Sequence, residues 1–380
     1  MKIVAAALHE VRLPLVHAFQ TSSHRKDHLD HILVELTDAE GRTGWGEMAS
    51  PADPFYCPDT TDIDWYVAWK YLVPRLLETE WETPAEAESC WAKIRGYGFA
   101  KAGVVGALWD LFAQAQGVSM SHALGGERET VKCGVSLGIE PTIDRLLEQV
   151  QKQVDAGYHR VKLKIAPGWD VEPVRAVRAA FPDHDVHVDA NGAYPGTEEA
   201  FTQLAKLDPF HLTMIEQPFA PRNFVAHAEF QSRIETPVCL DESVVDLDDL
   251  ETMLHLHAGR ILNIKVSRMG GLTNAKRAHD RAQGAGIPVW CGGMHEFGVG
   301  RAANLALSSL AGFSLPSDVS GSDKYYARDV ITPPVVAVDG WVRVPTAPGL
   351  GFAIDREWIT QNTLRSATDR TEDAATLHRL

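Results

Sequence analysis

Five charged residues recur along the middle of the chain at a spacing that suits chemistry: Lys164, Asp189, Glu216, Asp241 and Lys265. They lie 25, 27, 25 and 24 residues apart, about one strand–helix unit each, and each ends a short apolar run: VKLK, VHVD, LTMIE, VCLD and LNIK. Singly, the carboxylates have ordinary explanations. Asp189 with Asn191 suits an Asx turn, Glu216 before Gln217-Pro218 a loop cap, and Asp241 a helix N-cap. In order and at one period, all five are placed around one mouth, because the carboxyl ends of the strands in a (β/α) barrel open onto a common cavity.

Three carboxylates converging there repel one another and resist ionisation unless a cation sits between them. Oxygen ligation without cysteine or histidine favours Mg²⁺, or Mn²⁺ in its place. An ion held by Asp189, Glu216 and Asp241 stabilises the negative charge that builds up when a proton α to a carboxylate is removed. The lysines supply the acid/base half of that chemistry. Period-2 alternation puts Val161, Leu163 and Ile165 on one face of their strand and Lys162 with Lys164 on the other. Positive charge from the metal, Lys162 or Arg268 is expected to depress the pKa of Lys164 or Lys265 and leave a neutral base.

The elements that position these residues follow from the apolar pattern. From Val131 short strands (VKCGVSLGI, RVKLKI, VHVDA, LTMIEQP, TPVCLDES, ILNIKV, PVWCGG and, less regularly, FSLPSD) alternate with helical stretches such as RLLEQVQKQVDAG and VEPVRAVRAAF, which predicts parallel βα units. No G-x-G-x-x-G follows the first strand and no phosphate-binding G-x-x-x-x-G-K-[ST] occurs, so an α/β fold of the (β/α)-barrel type, TIM-like but modified, is favoured over a nucleotide-binding sheet. Ahead of it, residues 1 to about 50 alternate like antiparallel strands with a polar turn from Asp38 to Arg42. Residues 62–94 and 99–117 then show helical spacing, as in Val104, Ala107, Leu108, Leu111 and Phe112. This predicts an α+β amino-terminal domain over 1–125 and a barrel over 126–328. A carboxyl-terminal segment, 329–380, packs back on the first domain, with its last fifteen or so polar residues expected to fray.

The chain of 380 residues is long enough for one barrel and a smaller domain. With 51 acidic against 36 basic side chains and a net charge of −15, neither nucleic acid nor an anionic membrane is the expected partner. The start, MKIVAAALHEVRLPL, has no sustained apolar segment or small-residue cleavage site, and a cytoplasmic location is expected. The five widely spaced cysteines read as buried free thiols. His24, His28 and His31 read as solvated loop histidines, and no H-E-x-x-H occurs.

The same segments resemble the enolase superfamily, and the resemblance runs through almost the whole chain. GWGEMAS (44–50) is similar to the family's capping-domain strand; ALWDLFAQAQG (107–117) and LGG (124–126) are similar to the passage into the barrel. VKLKIAPGWDVEPVRAVR, VDANGAY, IEQP, CLDES, NIKVSRMGG and VWCGGMHEFGVGRAANLALSSL look closest to the muconate lactonizing enzyme-like subgroup containing o-succinylbenzoate synthase and N-acylamino acid racemase. The resemblance implies Lys164 as one acid/base, Lys265 on the opposite face of the substrate, and Mg²⁺ on Asp189, Glu216 and Asp241, with Glu242 a weaker candidate ligand. It also implies supporting roles for Lys162, Asn191 and Arg268, and substrate contacts from Ser136 and the Gly293-Met294 backbone.

The implied reactions are dehydration of 2-succinyl-6-hydroxy-2,4-cyclohexadiene-1-carboxylate and racemisation of N-acylated amino acids, both through an enediolate. The implied partners are a small-molecule carboxylate and further copies of the chain in a homo-oligomer. Three segments depart from the subgroup where specificity lives: His295 and Phe297 flank the glutamate after CGGM, the loop SSHRKDHLDH (22–31) is rich in histidine, and PFYCP (54–58) is unusual. A dipeptide epimerase is the alternative within the superfamily. Its expected D-x-D near the eighth strand is missing, since Asp318 and Asp323 are too far apart. A barrel that only binds ligand would need no matched lysines.

Overall fold

The computed structural model describes residues 1–20 and 25–370. The amino-terminal sheet is built from β1 (Ile3–Gln20), β2 (Arg25–Asp38) and β3 (Thr43–Met48), all antiparallel. The Asp38–Arg42 turn is tied by Asp38, whose carboxylate accepts from the Arg42 amide at 2.9 Å and from its guanidinium at 2.7 Å. The expected loop over 22–31 is therefore strand from Arg25 onward, because its backbone pairs with β1; residues 22–24, with His24, lie outside the described residues.

Helix Gly98–Gln116 packs on β3 and ends at Gly117, whose φ of +68° suits a left-handed C-cap. Val104, Ala107, Leu108 and Leu111 are fully buried, as their spacing predicts. The contact with β3 is backbone against backbone: a Cβ on Gly46 would stand 1.9 Å from the Gly103 carbonyl oxygen. The expected helix over 62–94 is broken instead. Thr61–Val67 passes through a widened turn, Ala68–Leu72, into Val73–Leu77, and a separate helix starts at Pro84. Pro74 explains the first break, since it has no N–H and its ring crowds the preceding turn.

The barrel sheet runs in sequence order through β5 (Gly134–Leu137), β6 (Arg160–Lys164), β7 (Asp185–Asp189), β8 (Ile215–Glu216), β9 (Val238–Leu240), β10 (Ile261–Ile264) and β11 (Val289–Cys291), all parallel, with helices between them. The predicted first strand, VKCGVSLGI, is two strands. Thr130–Lys132 (β4) pairs antiparallel with Trp341–Arg343, and the Cys133 amide donates to Gly340 before the chain joins the barrel at Gly134. The predicted eighth strand is not regular, since Pro316 removes a donor. The segment still closes the ring, with Ser317 bonded to Lys132 and Asp318 to Cys291.

After the barrel, strand Thr363–Arg370 returns to pair with β1, so fraying does not start in the mid-360s; residues 371–380 lie outside the described residues. Cys133, Cys239 and Cys291 are buried, whereas Cys57 and Cys90 are only partly so; all five are free. Among the described residues no helix is long and apolar enough to cross a membrane.

Since the β3–helix contact has no room for a methyl group, Gly46→Ala is expected to lower the unfolding free energy by about 1–3 kcal/mol. An unchanged denaturant midpoint would show that the contact can relax.

Candidate active site

Strand register builds the floor of the site. Lys164 pairs with Asp189 and Asp189 with Glu216, while Asp241 and Lys265 stand one residue beyond β9 and β10. The five residues predicted from spacing therefore converge. Across the sheet the lysine of β6 and the lysine beyond β10 flank carboxylates carried by β7, β8 and β9.

The contacts are short. Lys164 Nζ donates to Asp189 Oδ2 and Asn191 Oδ1, each at 2.5 Å. Lys265 Nζ donates to Asp241 Oδ2 at 2.9 Å. Lys162 Nζ lies 2.8 Å from Asp318, 3.3 Å from Glu216 and 3.8 Å from Asp189. Arg268 bonds Asp241 and donates to the Val244 and Asn263 carbonyls, so it fixes Asp241 rather than lining the cavity. Asn191 takes the Asx turn on Asp189 and donates to Glu242, which joins both readings of that motif in one residue. Gln217 clamps the next loop, accepting from the Asp241 and Ser243 amides.

Burial and mutual repulsion govern the charges. Burial and Glu216 raise the Asp189 carboxyl, and burial with Asp241 and Asp189 lifts Glu242 to about 8. For Lys265 the expected depression is not what its carboxylate contacts alone produce. Burial opposes the charge of Lys162, but Asp318, Glu216 and Asp189 outweigh it; Asp241 does the same for Lys265, although Arg268 pulls that group down.

A divalent ion fits this donor set. All the facing ligands are hard oxygens. Glu216 Oε2 is fully buried and has no hydrogen-bond partner, and Glu242 Oε2 is likewise unpartnered. As the side chains stand, no three carboxylates or imidazoles among the described residues enclose one point, and Lys164 and Lys265 hold two of the three carboxylates. Asp189, Glu216 and Asp241 would hold the ion, with Glu242 beside them.

The site opens into a cavity of about 660 Å³ lined from the barrel by Ser136, Gly293, Met294 and His295, and from the amino-terminal domain by residues 26–31 and 49–56. Of the three departures noted in the sequence, His295, Lys26–His31 and Tyr56 face it. Phe297 does not: it is fully buried, 4.5 Å from the His31 ring and 5.2 Å from Tyr326. His31 is no solvated histidine either. It is buried and bonds Glu47 at 2.8 Å, and Glu47 also accepts from the Phe297 and Gly300 amides, each at 2.7 Å. This carboxylate caps the helix Gly298–Ser308 and ties β3 to the loop carrying His295.

Sequence reasoning missed Tyr56, Asp318 and Arg160. Tyr56 OH accepts from Lys265 at 2.9 Å. Asp318 accepts from Arg160 and Lys162, each at 2.8 Å, and Gly134 makes room for the Arg160 guanidinium. The signal for Asp318 was its place at the end of the eighth apolar run; for Tyr56 the only signal was the unusual segment PFYCP, which gave no role to the tyrosine itself.

Residues 3–125 match the model of the mandelate racemase / muconate lactonizing enzyme N-terminal domain, and 145–358 the model described as enolase C-terminal domain-like. The chain belongs to the enolase superfamily. An o-succinylbenzoate synthase of Geobacillus kaustophilus is 45% identical over 94% of each chain, and an N-succinylamino acid racemase of Amycolatopsis 46% identical over 93% of this chain and 95% of that one. A solved enolase-superfamily member from Listeria innocua superposes with a TM-score of 0.95 at 36% identity, covering 97% of this chain and 99% of its own. The fold is the superfamily's capping domain on a modified barrel, and its members are enzymes that use a divalent metal and abstract a proton.

A bound cation stabilises the fold that holds it. Added divalent ion is therefore expected to raise Tm, and Glu216→Gln to shrink that rise. Equal responses of the two proteins would remove Glu216 from the site.

Proposed function

We propose that the chain is a Mg²⁺-dependent enzyme that removes the proton α to the carboxylate of a succinylated substrate. Its principal reaction in this reading is that of o-succinylbenzoate synthase, and the same groups support racemisation of N-succinyl amino acids. The observation that carries the proposal is the placement of Lys164 and Lys265 on either side of three buried carboxylates. The relatives' names supply the succinyl arm.

When bound, Mg²⁺ supplies positive charge beside the substrate carboxylate. The remaining work falls to the chain's own groups. In the dehydration, Lys164 takes the α-proton and the C–H electron pair enters the carboxylate system as an enediolate. Lys265, protonated, lies on the far side as a fixed cation. Collapse of the enediolate forms the ring double bond and expels the hydroxyl, which leaves as water with the proton returned from Lys164. In the racemisation, one lysine removes the proton and the other delivers one to the opposite face. Asn191 orients Lys164, Arg268 orients Asp241, and Ser136 with the Gly293-Met294 backbone borders the substrate.

Comparison of kcat/KM for the cyclohexadiene substrate with that for N-succinyl amino acids tests the reading directly. Turnover of neither would sink it. The two-lysine geometry has its own test in deuterated water. Lys164→Ala is expected to slow exchange from one enantiomer by about 10²–10⁴-fold, and Lys265→Ala from the other; a variant that racemises at the normal rate contradicts the assignment.

A further inference from the structure

Four lysines line the cavity, and three are committed to its floor: Lys162 to Asp318, Lys164 to Asp189 and Lys265 to Asp241. The fourth, Lys26, projects from β2 in the capping domain. It is half-buried, so part of its hydration is lost. Among the described residues its ammonium makes no hydrogen bond or ion pair, and Asp53 and Asp30 act on it only at longer range.

Two neighbouring acids on this wall have other partners. Arg12 holds Asp30 through two hydrogen bonds of 2.7 and 2.6 Å, and His28 stands 2.5 Å from Asp27. Among the described residues Lys26 is therefore a lysine of this cavity left without a carboxylate partner, and it lines from the capping domain the same cavity whose floor carries Lys164, Asp189 and Lys265. A substrate whose α-carboxylate sits at the floor has the capping-domain residues as the other lining of its cavity. The far end of a succinylated substrate is a second carboxylate.

We propose that Lys26 binds the distal carboxylate of the succinyl arm, so that the chain selects dianionic substrates over those acylated by a neutral group. The assignment rests on the function proposed above and adds the group that reads the acyl chain. Asp53, exposed beside Lys26, competes for the same charge and keeps the contact from being tight.

The test is equilibrium binding by calorimetry, with N-succinylglycine and N-acetylglycine as probes and the Mg²⁺-loaded full chain as receptor. Lys26→Met is expected to weaken N-succinylglycine about five- to tenfold and to leave N-acetylglycine unchanged. Lys26→Arg is expected to restore most of the loss. The succinyl preference should also shrink as salt is raised, since the contact is partly exposed. Equal effects of Lys26→Met on the two probes, or none on either, would overturn the assignment. Turnover is read separately: a wild-type chain that prefers the succinyl probe yet converts no succinylated substrate refutes the proposed function and leaves Lys26 judged on affinity alone.

Discussion

Asp189, Glu216 and Asp241 lie side by side, buried, at the ends of neighbouring strands, and most of the surrounding design answers that constraint. Burial penalises each anion, and each neighbour raises the penalty. The barrel meets this with cations from the flanking strands. Lys162, Lys164, Lys265 and Arg268 all reach these carboxylates, and Asn263 and Gln217 brace them through Glu216 and the Asp241 backbone. A buried ion cluster of this kind is a weak source of stability. Its worth lies in holding charged groups at fixed positions before a substrate arrives.

The same logic extends one layer outward. Lys162 is too deep to be left with Asp189 and Glu216 alone, and Asp318 gives it a partner of its own, itself held by Arg160. Arg160 in turn fits only because residue 134 has no side chain. On the opposite side of the cavity, Glu47 joins the two domains by accepting from His31 and from the start of helix Gly298–Ser308. The capping wall and the barrel loop that carries His295 are thereby set relative to each other through one buried carboxylate.

How much of this could be read from the sequence follows from which interactions are local in the chain. The floor was legible because strand ends repeat at the βα period, so Lys164, Asp189, Glu216, Asp241 and Lys265 announce themselves by spacing alone. The barrel and the helix Gly98–Gln116 were legible for the same reason, through apolar periodicity. Long-range pairings left no such trace. His31 looks like a polar loop histidine until β2 buries it against Glu47, and Tyr56 sits in an irregular segment whose fold gives no period. Phe297, read from the sequence as a specificity position, serves the core instead; the sequence does not show which way the side chain points. At Lys265 the pull of Arg268 is outweighed by Asp241, because spacing places the carboxylates near the lysines but not how closely the two are paired.

The division between legible floor and illegible wall has a functional side. The lysines proposed to move protons stand on strand ends, where the barrel fixes them to within the tolerance that proton transfer requires. Other residues lining the cavity, such as Lys26 and His295, stand on a capping strand and on a loop, where a side chain can change without disturbing the ion cluster. Dehydration and racemisation share the proton-abstraction step and the enediolate, so the floor does not by itself choose between them. The choice falls to whatever positions the rest of the substrate above the two lysines, and the capping strand and loops that line the cavity are where that positioning has room to vary.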